Sequence, residues 1–322
     1  MEKAPVMILF FNRPDNLKEV FDAVRKYQPS ELFLVQDGER EGRLDDYENV
    51  QKCRDIVANI DWKCKVRRNY SEHNLSCDYR EYTGIDWCFS FVDRLIILED
   101  DCVPSQSFFT LCEECLEKYK DDCSIHSISG FNRVGQYDSP YDYVFSVTGA
   151  GWGWATWKRV WKIIDQQKDL QILDDTTAVN YLKKTIDNRI TSVYGDFVSY
   201  MQETKKLNHA SGTITSWEKL AGFALIVNNM MTITPSKNMV KYIGISENAT
   251  HTASDPRLLP FKVRRVLTQP SFELDESIHH PPFKIRDIQF ETKSIKAMEY
   301  PPFVAKIEVG LRKFWFKVLR KR

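Results

Sequence analysis

The run Leu95-Ile-Ile-Leu98 ends directly in Glu99-Asp100-Asp101. That junction constrains the fold more than any other stretch. An unbroken apolar run of this length reads as a strand buried on both faces, the pattern of a parallel sheet covered by helices. Three consecutive acids at its exit cannot all ionise in a low-dielectric crevice without a cation, because like charges a few ångströms apart raise each other's pKa. In open α/β sheets the crevice outside the carboxyl ends of the strands is where ligands bind. A strand that delivers three carboxylates there predicts an α/β fold with a metal-binding site, and oxygen ligands of this kind suit Mg²⁺ or Mn²⁺.

Other stretches repeat the alternation. Val6-Met-Ile-Leu-Phe-Phe11 reads as a first buried strand, and Pro14 then opens a helix with Leu17, Val20, Phe21 and Val24 at helical spacing. Leu32-Phe-Leu-Val35 reads as a second strand, running into Asp37-Gly38. A helix with Val50, Cys53, Ile56 and Val57 on one face follows, then a short strand over Lys65 to Arg68 and a helix from near Asp78 through Trp87 and Phe91. Strand–helix alternation of this type predicts a mainly parallel sheet. Asn12, Asp37 and Asp101 all fall at strand ends, so separate pieces of sequence converge on one crevice. After residue 252 prolines punctuate a stretch of little periodicity, read as an extended wrap, so the expected organisation is a catalytic unit over 1–252 and an extension over 253–322.

The 45 basic and 45 acidic residues balance to a formal zero, so no global field recruits nucleic acid. No window approaches the roughly 18 apolar residues needed to span a bilayer. The N-terminal apolar run is too short for a secretory leader, and eight cysteines then read as reduced thiols of a cytoplasmic protein. Cys112 and Cys115 have metal-ligand spacing, but without a second such pair or neighbouring histidines they read as two thiols on one helix face.

The ordered series Phe11-Asn-Arg-Pro14, Val35-Gln-Asp-Gly38, Leu98-Glu-Asp-Asp-Cys-Val-Pro104, Ile128-Ser-Gly130, Gly151-Trp-Gly-Trp-Ala-Thr-Trp157, Ser216-Trp-Glu218 and Ala249-Thr-His-Thr252 resembles bacterial GT-A-fold glycosyltransferases of the family-2-like, hemolysin-type group. The acidic motif is also similar to that of N-acetylglucosaminyltransferase I. The resemblance spans roughly residues 5 to 252. It implies a GT-A fold and a nucleotide-sugar donor, a UDP-sugar being favoured. By the same resemblance Arg13, beside Asn12, pairs with the donor diphosphate, Asp37 contacts the base, and Arg80 faces the donor. Asp100 would contact ribose or sugar beside Glu99, with Asp101 and His251 on the metal. Gly151, Trp152 and Gly153 read as part of the site in their own right, since glycines admit a ligand close to the backbone and indole faces pack on sugar C–H surfaces. Trp157 reads equally as site or core.

Inverting transfer needs one base on the acceptor face. Related proteins carry Asp after the Trp of this motif, where this chain has Glu218; Asp196 is the alternative base. Glu218 also reads as a helix N-terminal acid behind a Ser216 cap. The tail places Val304, Ile307, Leu311, Phe314, Trp315 and Val318 on one helical face and Lys306, Lys313, Lys317 and Arg320 opposite. This pattern reads as an interfacial helix on an anionic inner-leaflet surface and suits a saccharide or lipid-linked saccharide acceptor. Two rival readings fit the same residues. A nucleotide-sugar pyrophosphorylase would want a glycine-rich loop after the first strand, which Phe11-Asn-Arg-Pro14 lacks. A non-catalytic carbohydrate-binding or membrane-associated protein with a decayed site is kept open by Glu218.

Overall fold

The structure is a computed structural model and describes residues 3–149, 151–186, 197–245, 259–275 and 277–299, with Ile307 and Gly310. Apolar runs become strands and amphipathic runs become helices in the alternation read from the sequence. The elements are β1 (Val6–Phe10), α1 (Pro14–Tyr27), β2 (Glu31–Gln36), α2 (Leu44–Ile56), β3 (Lys65–Tyr70), α3 (Cys77–Phe89), β4 (Arg94–Glu99), β5 (Cys102–Pro104), α4 (Gln106–Lys118) and β6 (Ile125–Ser129). Then come β7 (Tyr143–Ser146), β8 (Trp154–Trp157), α5 (Lys158–Gln166), α6 (Thr176–Thr185), α7 (Phe197–Ser211), α8 (Trp217–Val227), β9 (Met231–Pro235), β10 (Val240–Tyr242), α9 (Phe261–Leu267) and α10 (Ile288–Met298).

Among the described residues, eight strands form one sheet in the order β3-β2-β1-β4-β8-β6-β9-β7. The first four are mutually parallel, β8 is antiparallel to both β4 and β6, β9 is parallel to β6, and β7 is antiparallel to β9. Six strands therefore run one way and only β7 and β8 oppose them. This is the α/β class with a mainly parallel sheet that the alternation predicts. β1 and β6 are buried at every position, as a sheet flanked by helices on both faces requires. Helices α1, α2 and α4 pack together, while α3 packs on β1, β4, α5 and α8. A small antiparallel ribbon pairs β5 with β10, Tyr242 opposite Cys102, directly after the acidic turn.

α1 shows how sequence dictates an element. Pro14 occupies the first turn, Asp15 and the pair Arg25 and Lys26 complement the helix dipole at either end, and Leu17, Val20, Phe21 and Val24 are buried. Each such side chain contributes about 1.5–3 kcal/mol by leaving water. Two readings shift. Phe91 lies past the end of α3 and is exposed, because the helix stops at Phe89. Among its described residues the proline-punctuated stretch includes the helices α9 and α10. Asp287 caps α10 by accepting from the Phe290 N–H at 2.8 Å, and Phe290 is fully buried; the prolines mark the ends of elements and do not prevent them. Glu291 of α10 accepts from the Val147 N–H at 3.0 Å. Among the described residues no helix is long and apolar enough to cross a membrane. Apart from Ile307 and Gly310, the C-terminal amphipathic segment lies outside the described residues.

His126 sits on β6, 5 % exposed, with Nδ1 3.1 Å from Ser127 Oγ. Burial, reinforced by the charge of Arg159, pushes its imidazole down from 6.5 to about 4. The folded state thus binds fewer protons than the unfolded chain between those values, and stability falls as pH drops from about 6.5 towards 4, by roughly 3 kcal/mol in full. Urea midpoints measured across this window should fall for the native chain and fall less for His126→Gln. Equal slopes in the two would remove His126 as the cause.

Candidate active site

Two strand ends form the floor. The Arg13 guanidinium, following β1, bridges the acidic turn after β4: Nη1 donates to Asp101 Oδ2 at 2.9 Å and Nη2 donates to Asp100 Oδ1. Asp100 Oδ2 also accepts from the Phe11 N–H at 3.3 Å. Asp100 and Asp101 are both deeply buried. Burial pushes the Asp100 carboxyl up to about 6, with the Arg13 charge opposing the rise. Burial also works against the Arg13 charge, yet the two aspartates together hold its guanidinium above its ordinary value. Asp101 is pressed from the other side by the β10 ribbon, since a Cβ added at Gly244 would lie 2.3 Å from Asp101 Oδ2. Only glycine leaves room there.

Glu99 is half-buried at the end of β4, and burial raises its carboxyl, followed by the charges of Glu81, Asp101 and Glu218. Glu99, Asp101 and Cys102 each place a possible ligand atom within 4.8 Å of the others. Two carboxylates at this spacing fit a hard divalent cation that keeps open positions for phosphate oxygens. The Cys102 thiol is fully buried and 3.4 Å from Asp101 Oδ1.

Asp37, Asn12 and Arg80 are nearby but engaged within the fold. Asp37 Oδ1 accepts from the N–H groups of Gly38 at 2.9 Å and Leu75 at 2.8 Å, fixing the loop before α3. Burial raises its carboxyl, and these bonds and Arg80 restrain the rise. Arg80 donates to the carbonyls of Gln36 at 3.0 Å and Asn69 at 2.6 Å, joining the ends of β2 and β3 from α3. Asn12 donates to Asp46 Oδ1 at 2.6 Å, and Asp46 is also held by Arg40.

The second wall comes from β8 and α8. Glu218 is exposed in the first turn of α8, and a Cβ at Gly151 would lie 3.6 Å from its Oε1. Ser216 stands at the N-cap position, but its side chain makes no capping bond. A cavity of about 270 Å³ opens here, lined by His126, Gly151, Trp152, Trp154, Trp217 and Glu218 among others. Trp154 and Trp217 stack with centroids 5.3 Å apart at 14°. Trp152 meets Phe131 edge-on at 4.7 Å and tilts over Tyr242. Gly153 adopts φ +65°, and a Cβ there would meet Val240 at 2.8 Å, so its backbone shape and packing both demand glycine. Trp157 is core, its indole N–H donating to the Leu116 carbonyl at 3.0 Å.

The residue that sequence reasoning missed is Glu81. It is 3 % exposed on α3, and its Oε2 accepts from the Trp217 indole N–H at 2.7 Å. Burial raises its carboxyl, followed by the charge of Glu218, which places it electrostatically between the two walls. Cys77 and Glu81, four apart on α3, were readable as sharing a helix face, but only tertiary packing brings that face to Glu99. Gly244 carried no signal beyond its identity. His251 and Asp196 lie outside the described residues. Cys112 and Cys115 are buried on α4 with Cys115 beside Tyr143, and belong to no ligand cluster found among the described residues.

No family model and no curated protein matches the chain. Among solved structures, the inositol-1-phosphate CTP transferase from T. maritima is similar at 11% identity and TM-score 0.39, over 83% of this chain and 96% of that one. The 4-diphosphocytidyl-2C-methyl-D-erythritol synthase from Anaerococcus prevotii is similar at 10% identity and TM-score 0.30, over 52% and 77%. Likeness at this level says nothing about chemistry, and the fold rests on the sheet described above.

Removing Arg13 while leaving Asp100 buried should cost about 3–5 kcal/mol, the penalty of an uncompensated interior charge. Arg13→Met should show this loss in urea denaturation, and adding Asp100→Asn should recover part of it in a double-mutant cycle. Purely additive losses would mean that the pair is not coupled.

Proposed function

We propose that this protein is a metal-dependent glycosyltransferase that moves a sugar from a nucleotide diphosphate sugar to a saccharide acceptor with inversion. The observation that carries the reading is Glu218, an exposed carboxylate on a tryptophan-lined cavity, near enough to Glu99 of the acidic turn for its charge to help raise that carboxyl. This pairs a group able to take a proton with a neighbouring group of carboxylates suited to a cation.

Glu99 and Asp101 would hold Mn²⁺ or Mg²⁺, which when bound neutralises the charge that develops on a departing diphosphate. His251 is a candidate further ligand on the strength of the sequence resemblance alone. Arg13 lies at the same strand ends, where a guanidinium can turn from Asp101 to a phosphate and bind it through paired N–H groups. Asp100, kept in place by Arg13 and the Phe11 N–H, is positioned to accept from a sugar or ribose hydroxyl. Glu218 takes the acceptor hydroxyl proton as that oxygen bonds to the anomeric carbon and the bond from that carbon to the diphosphate oxygen breaks. Trp152 offers an indole face to a sugar ring, and Gly151 leaves space beside the carboxylate. Asp37, Arg80 and Asn12 hold the loops around a nucleotide site; a base contact from Asp37 would use its remaining oxygen. The basic, amphipathic sequence of residues 304–320 supports a lipid-linked acceptor met at an inner-leaflet membrane surface.

Nucleotide sugars screened with Mn²⁺ should raise the melting temperature, with UDP-sugars the first choice, since a ligand bound only by the native state stabilises it by mass action. Asp101→Ala should remove the metal-dependent part of that shift. Glu218→Gln should keep it and lower sugar transfer or donor hydrolysis by about 10²–10⁴-fold. Donor binding indifferent to metal, or full activity in Glu218→Gln, would defeat the reading. Formation of pyrophosphate from a nucleoside triphosphate and a sugar phosphate would replace it with donor synthesis.

A further inference from the structure

The geometry points to a second cation position, formed by Cys77 and Glu81 with Glu99, which it shares with the Asp101 side of the acidic turn. The three side chains place one ligand atom each within 4.8 Å of one another. Cys77 opens α3 and Glu81 follows one turn later on the same helix face, while Glu99 arrives from the end of β4. Glu81 supplies the observation that separates this group from an ordinary acidic cluster. Its side chain is 3 % exposed, and its Oε1 is buried with no hydrogen-bond partner among the described residues. A buried carboxylate oxygen left unsatisfied is destabilising, and a ligand on that oxygen removes the cost.

Charge points the same way. Arg13 is engaged by Asp100 and Asp101, and among the described residues no lysine or arginine forms an ion pair with Glu81 or Glu99. The remaining half of the cluster therefore gathers carboxylates without a protein cation. A thiol beside two carboxylates selects a borderline ion such as Zn²⁺ or Co²⁺ over Mg²⁺ or Mn²⁺, which prefer oxygen ligands. Binding forms a metal–sulfur bond at Cys77 and releases the thiol proton to solvent. Because Glu81 also accepts from Trp217, the residue before Glu218, an ion here would fix the helix start that carries the proposed base. The site does not depend on nucleotide-sugar transfer and stands if that reading fails.

Co²⁺ is the probe, added to the full chain without nucleotide. One equivalent should develop a sulfur-to-cobalt charge-transfer band in the near ultraviolet. Cys77→Ser should abolish the band with an unchanged circular dichroism spectrum. Glu81→Gln, which keeps an acceptor for Trp217, should weaken Co²⁺ affinity at least tenfold. Cys102→Ser and Cys123→Ser should leave the band intact. A wild-type chain that gives no band overturns the proposal, as does a band that survives Cys77→Ser or disappears in Cys102→Ser.

Discussion

The crevice depends on the bridge from Arg13 to Asp100 and Asp101. It joins the loop after β1 to the turn after β4, two strands that are neighbours in the sheet. Buried aspartates that far inside would otherwise hold protons or force the turn outward. The guanidinium makes a compact acidic floor possible and sets its polarity, with Asp100 committed to Arg13 and the Phe11 N–H, and Glu99 left to other partners. The β5–β10 ribbon completes the confinement through Gly244, whose lack of a side chain lets the chain pass against Asp101.

Opposite this floor, the aromatic wall is also organised by a carboxylate. Glu81 fastens the Trp217 indole, Trp217 stacks on Trp154, and Glu218 follows in the chain. Acidic groups on α3, β4 and α8 therefore face one another across a short distance, and the electrostatic influence of Glu218 on both Glu81 and Glu99 expresses that proximity. Like-charge crowding of this kind is costly for stability and is commonly found where function requires it.

Much of the floor was legible because it depends on local pattern. Val6 to Phe10, Leu32 to Val35 and Leu95 to Leu98 are continuous apolar runs, and a run that ends in acids announces a strand end. β1, β2 and β4 follow from such runs, and α1 from apolar residues at helical spacing. The second half was harder to read. β7 and β8 are short strands whose pairing is non-local, and β8 inserts between β4 and β6 although it follows both in sequence. α10 was hidden by the prolines around it, although Asp287 and the buried Phe290 are ordinary helix-start chemistry. In the site, Glu99, Asp100, Asp101 and Glu218 could be singled out from sequence. Glu81 could not, since nothing local distinguishes it from any helix glutamate. The tight hold of Asp46 on Asn12, and of backbone carbonyls on Arg80, is likewise invisible without tertiary structure.

The position of β8 has a consequence for how the crevice keeps its dimensions. In the strand order, the four residues Trp154–Trp157 are the seam between the β3-β2-β1-β4 block and the β6-β9-β7 block. The acidic floor belongs to the first block, while the tryptophan wall leans on the seam itself. Register along β8 works like the setting of a calliper: Ile97 opposite Trp154 and Arg94 opposite Trp157 fix how far the two jaws stand apart. A slip of one residue would turn every β8 side chain to the other face, taking Trp154 off Trp217. The gap across which the crevice works is thus set in the middle of the sheet, by a strand that carries none of the carboxylates.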